Sequence, residues 1–207
     1  MSFKVKDHFF HKAKKEKFLA RSIYKLEEID QKFKIISSGH TILDLGYFPG
    51  SWTQYALSKI NNRGLVVGID IQEINRTLAS NPQVHLLQKS IDEVHSIADF
   101  NTSEFTMNSP FDVILSDMAP KTTGIKLVDQ EASLLLVQKV FLLLPTLLRQ
   151  GGHLVVKVFE GQGPQEFFKQ QQKARTFQEM HFLRPKATRS CSKEYFVIGK
   201  KYQAINH

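Results

Sequence analysis

The sequence predicts an α/β fold with a mostly parallel central sheet, helices on both faces and an antiparallel hairpin at one edge. From residue 41 onward, short apolar runs alternate with longer segments of helical periodicity. The runs are apolar at nearly every position, which is typical of parallel strands buried on both faces. The last two strand-like runs lie close enough in sequence to pair as the hairpin.

The elements follow from the pattern in chain order. Residues 13–33 place apolar side chains at near-helical spacing and predict one basic amphipathic helix. A helix is predicted for SWTQYALSKI and another for DQEASLLLVQKVFLLLPTLLRQ, which begins at the N-cap Asp129, ends at Gly151 and has Pro145 as a candidate bend. Residues 178–183 and 195–199 are the predicted hairpin. The parallel strands are TILDLG, GLVVGID, VHLLQ, FDVILSD and GHLVVKVF.

Composition favours one domain in a reducing compartment. The chain has 207 residues, 42% of them hydrophobic, which is enough for a sizeable core. The single cysteine, Cys191, cannot form an internal disulfide. The N-terminus is charged, and the run LLLVQKVFLLLP is interrupted by Gln138 and Lys139, so no signal or membrane segment is predicted. We therefore expect a cytoplasmic monomer.

The positive charge is concentrated at the two ends of the chain. The net charge is +8, but residues 1–40 have 10 basic and 5 acidic side chains while residues 41–149 have 8 and 11. If the two ends meet in space, they form a positive face suited to a nucleic-acid backbone, the alternative being an ordinary solvated surface. The C-terminal basic residues are Arg184, Lys186, Arg189, Lys193, Lys200 and Lys201.

The turn GYFPGSW after the first strand indicates which ligand the sheet holds. It matches neither a dinucleotide fingerprint nor a P-loop, although Gly46 and Gly50 allow close backbone approach. Asp44 would repel a pyrophosphate but favours a positive ligand, such as the amino group and sulfonium of S-adenosylmethionine. Asp70, 20 residues beyond Gly50, is placed to bind the ribose. Trp52 is either a cofactor contact or a core aromatic.

Charged residues at the ends of buried strands need partners. Lys157 and Asp117 stand at two such ends, and the simplest explanation is that they form one structural ion pair. Lys25 and Glu194 would extend this pair to a cluster of two lysines and two carboxylates. A neighbouring ammonium and partial desolvation favour a neutral lysine amine, which can accept a proton.

Five segments, taken in order, resemble the RrmJ/FtsJ family of RNA ribose 2'-O-methyltransferases. The segments read ARSIYKL, DLGYFPGSW, SDMAP, VVKVFEG and SKEYF, and the resemblance as a whole covers about Asp7 to Lys201. The resemblance implies a Rossmann-like S-adenosylmethionine-dependent methyltransferase fold. Residues 1–40 then form a basic N-terminal arm and helix that contact RNA and pack on the core, and residues 41–207 form the methyltransferase domain.

The resemblance also assigns roles to individual residues. It implies a Lys-Asp-Lys-Glu tetrad on Lys25, Asp117, Lys157 and Glu194, in which Lys157 removes the ribose hydroxyl proton and no metal is needed. Ser90 stands where many members have an aspartate near the adenine, so the adenine contact is the expected point of departure from the family. The expected cofactor-binding residues are Asp44, Gly46, Gly50, Trp52, Asp70, Ser90 and Asp117.

The expected substrate is RNA, with a uridine of large-subunit ribosomal RNA as the target. Alternatives are a tRNA anticodon loop and a non-catalytic, RNA-binding ribosome assembly factor. A base amino-group methyltransferase would need an Asn/Asp-Pro-Pro-aromatic motif where SDMAP stands. A carbon-5 pyrimidine enzyme would need a nucleophilic cysteine, which Cys191 is not placed to supply. A nicotinamide oxidoreductase is disfavoured by Asp44 and the missing third glycine.

Overall fold

The computed structural model describes residues 8–204, which form one seven-stranded sheet flanked by helices. The strands are β1 (Thr41–Leu45), β2 (Leu65–Asp70), β3 (Val84–Gln88), β4 (Phe111–Ser116), β5 (Leu148–Phe159), β6 (Phe177–Leu183) and β7 (Glu194–Tyr202). The helices are α1 (His8–Lys15), α2 (Ile23–Phe33), α3 (Ser51–Ile60), α4 (Arg76–Ala79), α5 (Lys126–Leu147) and α6 (Gln162–Lys173). Short 3₁₀ turns lie at residues 61–63, 91–93 and 97–100.

The sheet has the predicted mixed topology. Its strand order is β3-β2-β1-β4-β5-β7-β6, with β1 to β5 parallel. The last strand, β7, inserts between β5 and β6 and is antiparallel to both. The order of parallel strands reverses between β1 and β4, and a ligand crevice forms outside the carboxyl ends of strands at such a point. The predicted α/β fold with an antiparallel edge is confirmed.

Helices cover both faces because each buried strand alternates its side chains between them. Val113 and Leu115 of β4 pack with α2 and α3, while Ile114 packs with α5 and α6. The α6 helix, rich in glutamine, buries Phe168 in the second of these layers and was not predicted. The two layers fix which functional side chains share a face of the sheet.

The single helix predicted for residues 13–33 is a wrong prediction. The chain forms α1 and α2, separated by a turn in which Lys17 has φ 60°. The Phe18 amide donates to the carbonyl of Ala13 at 2.9 Å, which closes the end of α1. Tyr24 donates its hydroxyl to Glu16 at 2.7 Å and so holds the turn against α2.

The predicted ends of the longest helix are also wrong. The helix begins at Lys126, and Asp129 lies inside its first turn, where its carboxylate accepts hydrogen bonds from the amides of Thr123 and Gly124 at 2.7 and 3.1 Å. It ends at Leu147, because the chain then enters β5, which contains Gly151.

The two basic ends of the chain contact each other. The Arg21 guanidinium donates to the carbonyl of Ala187, and the Lys186 amide donates to Glu28 at 2.8 Å. Ala187 is buried in the same apolar cluster as Ala13. Within residues 8–204, no helix is long and apolar enough to cross a membrane.

Candidate active site

The turn after β1 brings its backbone against neighbouring side chains. Gly46 has φ 72° and Gly50 has φ 113°, backbone conformations that residues other than glycine rarely adopt. A Cβ on Gly46 would lie 2.6 Å from Cγ of Met118, and one on Gly50 would lie 2.0 Å from Cδ1 of Leu78. Both glycines are therefore required by space as well as by backbone angle.

Tyr47 and Phe48, the bulky residues of this turn, face opposite ways. Tyr47 is buried beside Leu78 and Leu86, and its hydroxyl accepts a hydrogen bond from the Asn75 amide at 3.3 Å. Phe48 is 48% exposed and lies on the wall of a cavity. One aromatic ring anchors the turn and the other faces a potential ligand.

That cavity, of about 660 Å³, opens at the carboxyl ends of the parallel strands and has the size of a small-molecule site. Its polar lining includes Asp70, Ser90 and Asp117, and Lys139 pairs with Asp92 at its rim. Apolar walls are formed by Phe48, Ile69, Ile71, Ile91, Met118, Ala119, Pro120, Ala132, Leu135 and Leu136.

Asp44 and Asp70 differ sharply in environment. Asp70 accepts hydrogen bonds from the amides of Phe48 at 3.0 Å and Gln72 at 2.9 Å, which orient its carboxylate at the cavity. Asp44 is fully buried; Oδ2 accepts from the Thr53 hydroxyl at 2.7 Å, while Oδ1 has no hydrogen-bond partner in the described structure. Burial raises the pKa of Asp44 to about 7.

The remaining predicted cofactor residues lie at the edges of this region. Ser90 is on the cavity wall, where its hydroxyl accepts a hydrogen bond from the Asp92 amide at 3.2 Å. The indole of Trp52 is 2% exposed, donates to the carbonyl of Ser22 at 2.9 Å and packs on Phe196. Trp52 borders a second cavity of about 10 Å³, but its burial in the apolar cluster with Tyr55 and Phe196 is that of a core aromatic.

These features suit S-adenosylmethionine. Asp44 borders the small cavity, which shares Gly46, Phe48 and Asp117 with the larger one. Its buried, unpartnered oxygen suits the positive end of the cofactor, the oriented Asp70 carboxylate suits ribose hydroxyls, and the apolar walls suit adenine.

The four residues of the expected tetrad occur as two ion pairs. Nζ of Lys157 lies 3.0 Å from Oδ1 of Asp117 and also donates to the Asp117 carbonyl. Nζ of Lys25 pairs with Oε1 of Glu194. The Lys157 side chain is 8% exposed, and those of Lys25 and Glu194 are 12% exposed. These are largely desolvated pairs, which require good geometry to persist.

Strand register places the two pairs next to each other. Lys157 of β5 is opposite Phe196 of β7, two residues from Glu194 on the same face of the sheet. Such diagonal neighbours have Cα atoms about 7–8 Å apart. Lys25 reaches this face from α2 and lies 5.7 Å from the centre of the Phe196 ring. Phe196 is fully buried beside both pairs, a role that the sequence did not assign to it.

Comparison with known proteins places the chain in a family. The family model for FtsJ-like methyltransferases matches residues 18–202. The chain belongs to this family. A methyltransferase needs a site for its methyl donor, and the cavity lined by Asp117 suits that donor.

Its relatives match over nearly their whole length. Proteins named ribosomal RNA large subunit methyltransferase E are 40% identical over 97% of the chain in Syntrophobacter fumaroxidans and 38% identical over 96% in Bdellovibrio bacteriovorus, covering 98% of each relative. A crystal structure described as a ribosomal RNA methyltransferase from Plasmodium falciparum superposes with a TM-score of 0.76 at 27% identity. It covers 89% of this chain and 98% of its own. The FtsJ-like resemblance predicted from the five motifs is confirmed.

Proposed function

We propose that this FtsJ-like methyltransferase transfers a methyl group from S-adenosylmethionine to a ribose 2'-hydroxyl of large-subunit ribosomal RNA, with a uridine as the target. The names of its relatives support this substrate. We further propose that it acts in the cytoplasm as a monomer, with residues 1–40 serving as an RNA-binding arm; residues 1–7 and 205–207 lie outside the described residues.

The position of Asp117 is the observation that carries the proposal. Asp117 lines the cavity that suits S-adenosylmethionine, and it also forms the ion pair with Lys157. Donor and base therefore meet at one side chain. A ribonucleotide entering between the two ion pairs would bring its hydroxyl to Nζ of Lys157 beside the mouth of the cavity.

In the proposed reaction, bound S-adenosylmethionine supplies an electrophilic methyl group. Nζ of Lys157 first releases its own proton to solvent, and the neutral amine then accepts the proton of the ribose hydroxyl as that oxygen takes up the methyl group. Asp117 holds Nζ through its carboxylate and its carbonyl. Lys25 and Glu194, paired with each other, position the ribose from the α2 side. A positioned base contributes roughly 10²–10⁴-fold to such a rate.

Tritiated methyl transfer into unmodified large ribosomal subunits and unmodified tRNA, measured side by side with nucleoside analysis, tests the proposal. A 2'-O-methyl nucleoside in the subunits is the expected result. The same product only in tRNA would overturn the ribosomal target and favour the anticodon-loop alternative. No transfer to either RNA, with S-adenosylmethionine binding intact in a calorimeter, would favour the assembly-factor alternative.

A further inference from the structure

A cleft lined by lysines lies at the carboxyl edge of the sheet, on the α6 side of the proposed tetrad. It has a volume of about 510 Å³ and is bordered by Lys126 at the start of α5, Lys169 on α6 and Lys193 just before β7. Within residues 8–204, none of these three ammonium groups forms an ion pair. Unpaired lysines around one concave space attract an anion.

The carboxylates of the cleft have other partners. Glu160 pairs with Nη1 of Arg184 at 3.3 Å, and Glu166 accepts a hydrogen bond from Nε2 of Gln162 at 2.8 Å. Arg184 also donates to the carbonyl of Ser192 and so holds the segment that leads to β7. Glu160 is compensated by Arg184, whereas Glu166 keeps its negative charge because its partner is a neutral amide. With three lysines in its lining, the cleft retains a net positive charge.

An aromatic pocket adjoins the lysine cleft. It has a volume of about 470 Å³ and shares Glu160, Gln165 and Lys169 with the cleft. Its aromatic wall is the ring pair of Phe182 and Tyr195, whose centroids are 6.1 Å apart. Phe182 is 46% exposed, so its ring is accessible to a ligand. Exposed aromatic rings beside basic groups are typical platforms for unpaired bases.

The cleft begins where the proposed tetrad ends. Lys193 directly precedes Glu194, and its carbonyl accepts a hydrogen bond from the Glu160 amide at 2.8 Å. In the sheet, Phe159 is the partner of Glu194, so residue 160 and the cleft follow immediately beyond the last pair of the β5–β7 ladder. The cleft therefore lies directly beyond the ends of the two strands that carry Lys157 and Glu194.

We propose that the cleft and its aromatic pocket hold a nucleotide that adjoins the methylated one. Its phosphate is bound by Lys126, Lys169 and Lys193, and its base stacks on Phe182 and Tyr195. Two adjoining compartments, one cationic and one aromatic, match a phosphate and a base joined by ribose. The inference rests on the proposed function, because it names how that RNA substrate is held beside the tetrad.

The first test neutralises the lysines. The double variant Lys169→Ala and Lys193→Ala is compared with Lys59→Ala and Lys173→Ala, which removes the same charge and includes a residue one turn away on α6. We expect the Lys169→Ala and Lys193→Ala double variant to raise KM for RNA about tenfold. The slope of log binding constant against log salt concentration should become shallower by about 1.4. The control pair should leave KM near that of the wild type, and both should bind S-adenosylmethionine normally.

The second test examines stacking. Phe182→Ala should weaken binding of a fluorescently labelled single-stranded RNA roughly tenfold. Phe182→Leu keeps most of the apolar volume but not the ring, so it should lose most of the same affinity. RNA carrying an abasic nucleotide beside the target should bind wild type and Phe182→Ala equally. A base-independent effect of Phe182→Ala would overturn the stacking site.

Binding and turnover separate this inference from the proposed function. Lysine variants that bind RNA as the wild type does, beside an active wild-type enzyme, would overturn the cleft alone. If these variants lose RNA binding and the wild-type enzyme methylates no RNA, the cleft remains an RNA site but the proposed reaction is overturned. Variants impaired only on whole ribosomal subunits, with normal binding of free RNA, would assign the cleft to a protein contact and overturn the inference.

Discussion

Asp44 should make the unliganded protein less stable as the pH rises from about 4 to about 7. Its pKa is raised from 3.8 to about 7 by burial, so between these values the folded chain binds a proton that the unfolded chain has lost. The free energy of unfolding therefore falls with rising pH across this window. A difference of roughly 3 pH units corresponds to a ceiling of about 4 kcal/mol, reached above pH 7.

The substitution Asp44→Asn isolates this effect. Asparagine keeps an acceptor for the Thr53 hydroxyl but cannot ionise. Relative to pH 3, the advantage of the variant in free energy of unfolding should therefore grow to roughly 1.6 kcal/mol at pH 5 and to about 4 kcal/mol at pH 8. Denaturant unfolding across this range measures the difference, with the exposed Glu73→Gln as a control. Parallel curves for the wild type and Asp44→Asn would refute a protonated Asp44.

The same substitution tests the proposed role of Asp44 toward the cofactor. A cationic ligand favours the ionised carboxylate, so S-adenosylmethionine binding to the wild type at pH 6 should release close to one proton. Calorimetry in buffers of different ionisation enthalpy measures this release. Equal release by the wild type and Asp44→Asn would show that the proton comes from another group.

Three further substitutions test the site and its turn. Lys157→Ala should slow single-turnover methyl transfer roughly 10²–10⁴-fold. It should leave S-adenosylmethionine affinity within about twofold, because Lys157 does not line the cofactor cavity. A variant that transfers methyl groups at the wild-type rate would remove Lys157 from the mechanism. Asp70→Ala should weaken S-adenosylmethionine binding about tenfold in a calorimeter, with unchanged affinity as the contrary result. Gly50→Ala should lower the free energy of unfolding by about 2 kcal/mol or more, because a Cβ there meets Leu78. Gly124→Ala, also at positive φ but in open space, should lower it less. Equal decreases in the free energy of unfolding would exclude the Leu78 contact as the cause.

The sheet and the strand ends were predictable because local patterns encode them. The apolar runs around Asp44, Asp70 and Asp117 became β1, β2 and β4 with boundaries within about two residues of those expected. Parallel strands bring their carboxyl ends to one edge, so Asp70 and Asp117 line one cavity. Motif order then supplied the likeness to the FtsJ-like family.

Features that depend on long-range packing were not predictable. The break after α1 is at Lys17, which adopts positive φ without the glycine that usually signals a helix end. Asp129 resembles an N-cap in sequence, but its carboxylate folds back to the preceding loop. The choice of partners within the proposed tetrad depends on the register of β5 against β7, since only that register places Glu194 within reach of Lys25.

The position of β7 has a consequence for biosynthesis. Lys25 and Glu194 are 169 residues apart, and Glu194 begins the strand that must insert between β5 and β6. A chain emerging from the ribosome contains every element of the cofactor cavity once α5 is made, long before Lys25 meets its partner. The proposed tetrad is therefore completed last. Nascent chains and chains that stop short of Glu194 would bind S-adenosylmethionine without methylating RNA.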